Sequence, residues 1–297
     1  MIGFEVLHYE TINETIQCVE SILSNVINPV IVVVDNASSN NSGNELIEKF
    51  KSYDNVFVLI NEKNLGFAKG NNIGYKFLRE KFDLDFICCI NNDTKLLNSS
   101  FEKKIETVYK ETNFGVLAPE VILSDGSIQS FNPKLYSLNY YNKELEKWKK
   151  CITYKKYADE QGFLFKTINR FPKFMLKIRR IKQNLIKPYP SELKDVVLHG
   201  CFLVFSKDYI NIFQEAFNSN TFMYREEELL FIRVKRAGLT TIYSNNIKIL
   251  HLEDAATNFL FADRESKYSF QRKNQIQSLN ILLEEINNAN CKIKLEK

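Results

Sequence analysis

No part of this 297-residue chain holds the roughly 18–20 consecutive apolar residues that a membrane-spanning helix needs. The opening Met1-Ile2-Gly3-Phe4-Glu5 has neither the basic region nor the apolar core of a secretory leader, so none is expected. Cys18, Cys88, Cys89, Cys151, Cys201 and Cys291 show no CxxC spacing, which excludes a zinc ribbon or a disulfide frame. They read as reduced, mostly buried thiols of a cytosolic protein. Charge bias is nearly absent: 40 Lys and Arg against 36 Asp and Glu leave +4, too little to imply nucleic acid. Internal repeats are missing, and so are the GxGxxG and GK[ST] signatures of dinucleotide and P-loop folds. What remains is an ordinary globular balance, 44% apolar and 26% charged.

The first 120 residues alternate two periodicities. Ile2 to Leu7 is a short strand. Thr11-Ile12-Asn13-Glu14 has capping-box spacing and opens an amphipathic helix to Leu23. Val30 to Val34 is a β-branched run suited to a strand buried on both faces. Ser42, with Glu45 three residues on, starts a helix to about Phe50. Val56 to Ile60, Ala68 to Arg79 and Phe86 to Ile90 continue as strand, helix and strand. Such alternation predicts an α/β fold: a doubly wound, mainly parallel sheet with helices on both faces.

After Pro119 regularity fades. Ser124-Asp125-Gly126-Ser127 marks a turn between two short strands. Lys143 to Lys187 carries 14 Lys and Arg against 4 Asp and Glu, with Phe174, Ile178, Ile181 and Leu185 at helical spacing. That pattern fits an amphipathic helix with a solvated basic face, or one drawn to an anionic membrane surface. Val196 to Phe205 reads as a strand broken by Gly200, with a helix opening at Ser206. A further helix runs from Glu226 to Ala237 and stops at Gly238. Two short strands, Thr241 to Tyr243 and Ile247 to Leu250, precede a closing helix from Glu265 to Ile286.

Candidate chemistry gathers where apolar strands end. Val34 runs into Asp35-Asn36, Ile60 into Asn61, and Ile90 into Asn91-Asn92-Asp93. Each could be turn chemistry alone. Together, at the carboxyl ends of strands in one sheet, they outline an acidic, amide-rich crevice for a metal-bound polar ligand. The glycines of Asn64-Leu65-Gly66-Phe67-Ala68-Lys69-Gly70-Asn71 precede a helix whose free amides favour phosphate.

The segments VVVDNASSNNS, NEKNLGFAKGNNIGY and CCINNDT, followed by HGCFLVFSKDY, FMYREEELLFIRVKRAG and ILHLEDA, resemble family 2 glycosyltransferases of the GT-A fold. The rhamnosyltransferase-like and capsular or O-antigen branches are the most similar. The resemblance covers residues 3 to 130 and 196 to 260. It implies a nucleotide-sugar-binding half (1–130) and an acceptor and catalytic half (196–262); the basic, partly helical insertion between them (131–195), read as an acceptor or membrane contact, and the C-terminal helix and tail (263–297) lie outside it. His8, Tyr9, Glu10, Asp35 and Asn36 match positions that hold the base and ribose of a sugar nucleotide. Asn64, Gly66, Gly70 and Asn71 match the loop that closes over it. Asn91-Asn92-Asp93 matches the DxD position with Asn91 in place of the first acid, so Asp93 is the implied metal ligand. His251 matches a position that completes the metal site in some relatives, and His199 and Gly200 fall on the acceptor side.

Sugar transfer from a nucleoside diphosphate leaves negative charge on the departing diphosphate, and hard oxygen ligands favour Mg²⁺ or Mn²⁺ to offset it. The acceptor hydroxyl needs a carboxylate base. The family's Tyr-x-Glu-Asp pattern falls on Tyr224, Glu226 and Glu227, making Glu227 the implied base and Glu226 the fallback; a merely acidic first turn is the structural alternative. The implied activity is an inverting transfer from a UDP- or dTDP-sugar to a lipid-linked saccharide in bacterial surface polysaccharide synthesis, at the inner face of the membrane. A sugar nucleotidyltransferase would need a glycine-rich basic loop where Leu7-His8-Tyr9-Glu10 stand. A non-catalytic glycan-binding homologue has footing in Asn91, but Asp93, Glu226, Glu227 and His251 speak against it.

Overall fold

The computed structural model describes residues 1–97, 100–160, 190–252 and 263–288. The expected amphipathic stretch from Phe174 to Leu185, and Cys291, lie outside them.

Val30–Asp35 (β2) is buried at every residue, as its β-branched run requires, between Ile2–His8 (β1) and Val56–Ile60 (β3). Phe86–Asn91 (β4) lies on the other side of β1, and all four strands are parallel. The sheet continues through Phe202–Ser206 (β8), Val116–Leu123 (β6) and Thr241–His251 (β9) to Thr94–Leu96 (β5), while Glu192–Lys194 (β7) pairs with β9. β8 is antiparallel to β4 and β6; β6 and β9 run parallel, and β5 and β7 antiparallel to β9.

Helices cover both faces, as expected. Ile12–Asn25 (α1), Ser42–Phe50 (α2) and Phe101–Thr112 (α4) bury Cys18, Ile22, Leu46, Phe101 and Ile105 against Phe4, Val6, Ile31 and Val33. Gly66–Lys81 (α3), Lys207–Ile212 (α7) and Glu226–Arg236 (α8) bury Tyr75, Leu78, Tyr209, Leu230 and Val234 against Val32, Val34, Cys89 and Phe205. A third cluster joins Leu138–Lys150 (α5) and Arg264–Asn288 (α9) to the outer side of α8, through Tyr141, Leu145, Leu229, Ile232, Leu279 and Leu282. Tyr154–Glu160 (α6) adds Tyr157, stacked on Trp148. The five described cysteines are free and buried, and no described helix is long and apolar enough to cross a membrane.

Three local expectations give way. Thr11 makes no side-chain cap on α1; its hydroxyl accepts from Asn92 Nδ2 at 2.8 Å, so a tertiary bond displaces the capping box. The strand expected from Val196 begins only at Phe202, because residues 196–201 turn aside to bring Gly200 against α8. The two strands expected between Thr241 and Leu250 are one, β9, which carries an irregularity between Ser244 and Lys248, opposite the consecutive Pro119 and Glu120 of β6.

Candidate active site

Parallel register aligns His8 with Asp35 and Leu7 with Asn91, so β1, β2 and β4 end side by side. Asp35 is buried, and its Oδ1 accepts from the Ser38 amide (3.1 Å) and hydroxyl (2.6 Å). Gly43 makes room for it: a Cβ there would lie 2.2 Å from Asp35 Oδ2. The Asn36 amide is fully engaged. Its Nδ2 donates to Asn64 Oδ1 and the Gly66 carbonyl, both at 3.1 Å, and its Oδ1 accepts from Asn61 Nδ2 (3.2 Å) and the Leu65 amide (2.9 Å). Asn64 Oδ1 also accepts from the Gly66 amide at 2.9 Å. One side chain thereby shapes the loop 61–66 over the end of β2. Gly66, at φ +78°, passes so close to the Phe222 carbonyl that a Cβ would lie 2.2 Å away, and the Phe67 amide donates to that carbonyl at 2.7 Å. Gly70 packs on Leu7 and Asn36, and Asn71 Nδ2 donates to the Phe67 carbonyl.

At the end of β1, His8 is fully enclosed. Its Nδ1 and Nε2 share 2.7 Å hydrogen bonds with the Thr15 and Ser42 hydroxyls, and burial lowers its pKa. Glu10, at φ +63°, accepts through Oε1 from the Ser39 amide and hydroxyl, and its carbonyl accepts from Asn40 Nδ2. Both therefore build the walls around Asp35, while the Tyr9 ring is half-buried between them.

At the end of β4, Asn92 Nδ2 donates to the Thr11 and Thr15 hydroxyls (2.8 and 2.9 Å), leaving Asn91 half-buried before it. Pairing of Thr94 with His251 across β5 and β9 sets Asp93 beside His251, Oδ1 to Nε2 3.2 Å. Asp93 Oδ1 is buried and accepts no hydrogen bond among the described residues. Gln129 Oε1 stands 2.8 Å from His251 Nδ1. An amide oxygen only accepts, so Nδ1 carries a proton and Nε2 is the ring nitrogen turned to Asp93. A buried carboxylate oxygen beside an imidazole nitrogen is a donor pair that suits a divalent cation, with Gln129 orienting the ring from behind. Among the described residues no group of three or more His, Cys, Asp or Glu is gathered for a metal, so the described protein contributes an open pair and not a closed cage. His199, its ring centroid 6.3 Å from that of His251, accepts at Nδ1 from the Cys201 amide. Burial and the neighbouring His251 bring its pKa down to about 4.

Three consecutive glutamates open α8 and meet three environments. Glu228 binds Arg225 at 2.8 Å, and the same guanidinium reaches Glu144 of α5 at 2.8 Å. Glu226 is buried with Oε1 unpartnered, and burial with the adjacent Glu227 pushes its pKa up to about 8. Glu227 is partly buried and packs on Gly200, where a Cβ would lie 2.8 Å from Oε1. Burial and the Glu228 charge raise its pKa to about 7, while Arg225 and the Gly200 amide hold it down. Tyr224 and Arg225 precede the helix at φ +78° and +67°. Glu10 and Ala37 (φ +64°), flanking Asp35, are left-handed as well.

The Glycosyl transferase family 2 model matches residues 7–171. The chain belongs to that family. This family 2 chain is 21% identical over 222 residues to the low-salt glycan biosynthesis hexosyltransferase Agl10 of Haloferax volcanii, a match covering 74% of the chain and 58% of Agl10. Its fold is similar to that of S. aureus TarS 1–349 in complex with UDP-GlcNAc, with a TM-score of 0.56 at 12% identity over 98% of this chain and 68% of that one. It also resembles GalNAc-T7 with UDP, GalNAc and Mn²⁺, with a TM-score of 0.57 at 10% identity over 97% of this chain and 48% of that one. The fold is that of the GT-A glycosyltransferases, an α/β sheet with most of its paired residues in parallel register.

Each of the six resembling segments contributes residues to this candidate site. Three of its members carried no local signal. Gln129 reaches His251 from a loop, Arg225 spans two helices, and Thr15 joins His8 to Asn92.

Proposed function

We propose that this family 2 glycosyltransferase moves a hexosyl or deoxyhexosyl group, with inversion, from a UDP- or dTDP-sugar to a hydroxyl of a lipid-linked saccharide, in surface polysaccharide synthesis. The observation that carries this reading is the placement of Glu227: a carboxylate poised near neutrality, seated on the Gly200 backbone next to His199, whose ring stands beside His251, the neighbour of Asp93. A base with a pKa near the working pH is best matched to taking a hydroxyl proton. In the proposed step the acceptor hydroxyl gives its proton to Glu227 as its oxygen attacks the anomeric carbon. The bond from that carbon to the diphosphate oxygen breaks, and the nucleoside diphosphate leaves with the electron pair. Direct displacement from the opposite face inverts the anomeric centre.

Asp35 and the Asn36-organised loop are the proposed seat of the nucleoside, with Asn91, Asn71 and the amides at the start of α3 beside the diphosphate. Asp93 and His251 are the residues that would hold Mg²⁺ or Mn²⁺, which when bound supplies positive charge against the leaving diphosphate. Support for a UDP donor and for a metal comes from the fold's likeness to structures solved with UDP-GlcNAc and with UDP and Mn²⁺. In this reading the enzyme works at the cytoplasmic face of the membrane, held near anionic lipid by the basic stretch Lys143 to Lys187.

A thermal-shift panel of UDP, dTDP, GDP, CDP and ADP, each with and without Mn²⁺, tests the donor site. A ligand at a hundred times its Kd adds about 2.7 kcal/mol to native stability. A metal-dependent rise with UDP or dTDP alone is expected, and a flat response to all five would sink the active-transferase reading. Co-sedimentation with anionic liposomes, unchanged by deleting residues 161–189, would remove the membrane role.

A further inference from the structure

We propose that Tyr136 and Tyr140 form a saccharide-binding platform that presents the acceptor to Glu227, an inference that rests on the transferase reading and names the chemistry of its second substrate. Their ring centroids lie 4.2 Å apart at 31°, and Tyr140 is 41% exposed. The pair is rigidly founded. Ser137 caps α5 by accepting from the Tyr140 amide, and the buried Tyr141 accepts through its hydroxyl from the Tyr136 amide at 3.2 Å. Aromatic rings kept in solvent on a fixed base invite a ligand with an apolar face.

The polar surroundings narrow that ligand. Arg225 lies 5.8 Å over the Tyr141 ring and grips Glu144 and Glu228 by one oxygen each. The second oxygen of each carboxylate can accept a hydroxyl proton. A pyranose ring offers both partners at once: C–H groups for the electron-rich face of tyrosine, and a rim of hydroxyls for the carboxylates.

Position ties the platform to the base. The Val197 amide donates to the Pro133 carbonyl at 3.0 Å, so the chain leading into Tyr136 runs beside the chain leading into Gly200. Gly200 is the seat of Glu227, and Glu228 is the next residue along α8. A sugar stacked on Tyr140 therefore lies beside Glu144, Arg225 and Glu228 at the start of α8, one residue from Glu227.

The test is saturation-transfer NMR on the full chain with UDP and Mn²⁺ present, using the methyl pyranosides of glucose, galactose, mannose, rhamnose and N-acetylglucosamine as probes. At least one glycoside should receive saturation on its C–H face. Tyr140→Ala should cut that signal at least tenfold with an unchanged melting temperature, and Tyr140→Phe should keep it. No transfer to any of the five, or equal transfer in Tyr140→Ala, overturns the platform. Glu227→Gln separates the two readings, since it should abolish sugar transfer while leaving the glycoside signal intact. Retained turnover in that variant would refute the base without touching the platform.

Discussion

The α-carbon of Gly200 lies so close to Glu227 that a methyl group on it would come within 2.8 Å of Oε1. Nothing else near Gly200 is as tight, and a carboxylate tip is the most movable kind of neighbour. Gly200→Ala should therefore leave the melting temperature almost unchanged while lowering kcat by about 10²-fold, since a shift of about 1 Å at a reacting group can cost that much. Loss of stability in parallel with activity would contradict the assignment.

Activity and stability should respond to pH in opposite directions. Glu227 acts as a base only when ionised, so kcat/KM should rise with pH and level off above about 7. The groups facing it are Glu226, Glu228, Arg225 and the Gly200 amide, with His199 one residue away. Arg225→Gln removes the one cation among them and should move the limb to higher pH; an unmoved limb would refute that tuning. For folding, the pKa values of Glu226 and Glu227 are raised above the ordinary carboxylate value, so the native state binds more protons. Their contribution is fully present below the unfolded pKa and is lost as pH climbs through about 7 to 8. Denaturant midpoints measured from pH 5 to 9 should fall across that window, less so in Glu226→Gln.

Gln129 should matter to the metal without touching it. Its oxygen fixes the proton on His251 Nδ1, and loss of such an orienting partner typically lowers metal affinity 10- to 100-fold. Gln129→Leu should shift the Mn²⁺ concentration needed for the UDP-induced thermal shift by that factor. EDTA should abolish the shift in both proteins.

Glu5 is a carboxyl group that the fold holds at a loss. It is fully buried in the sheet under α3, neither oxygen accepts a hydrogen bond from nitrogen or oxygen donors among the described residues, and it faces the weakly donating Cys89 thiol. Burial raises its pKa well above the ordinary carboxylate value. Glu5→Met, close in volume, should stabilise by about 1–3 kcal/mol, most at alkaline pH. A Cβ on Gly74 would lie 2.2 Å from Glu5 Cγ, so Gly74→Ala should destabilise by about 1–3 kcal/mol in denaturant titrations.

What could be read from sequence followed local periodicity. Val30 to Val34 announces a central strand because five β-branched residues leave no other element to bury them, and Asp35, Asn61 and Asn91 stand out because each breaks an apolar run. Thr94–Leu96 passes unseen, since three residues hold no period and the strand exists through its pairing with β9. Thr11 misleads for the opposite reason: its capping-box spacing is sound, yet Asn92, 81 residues away, takes its hydroxyl. The Arg225–Glu144 and Gln129–His251 contacts join residues 81 and 122 positions apart, a separation about which side-chain pattern carries no information.

The saturated amide of Asn36 has a consequence for kinetics. Its two donated and two accepted hydrogen bonds already hold loop 61–66 in place, and Phe222 clamps the turn that follows. A donor nucleotide arriving at this site meets loop 61–66 already in place. Its association should be governed by encounter and orientation, with affinity differences among sugar nucleotides written in their residence times.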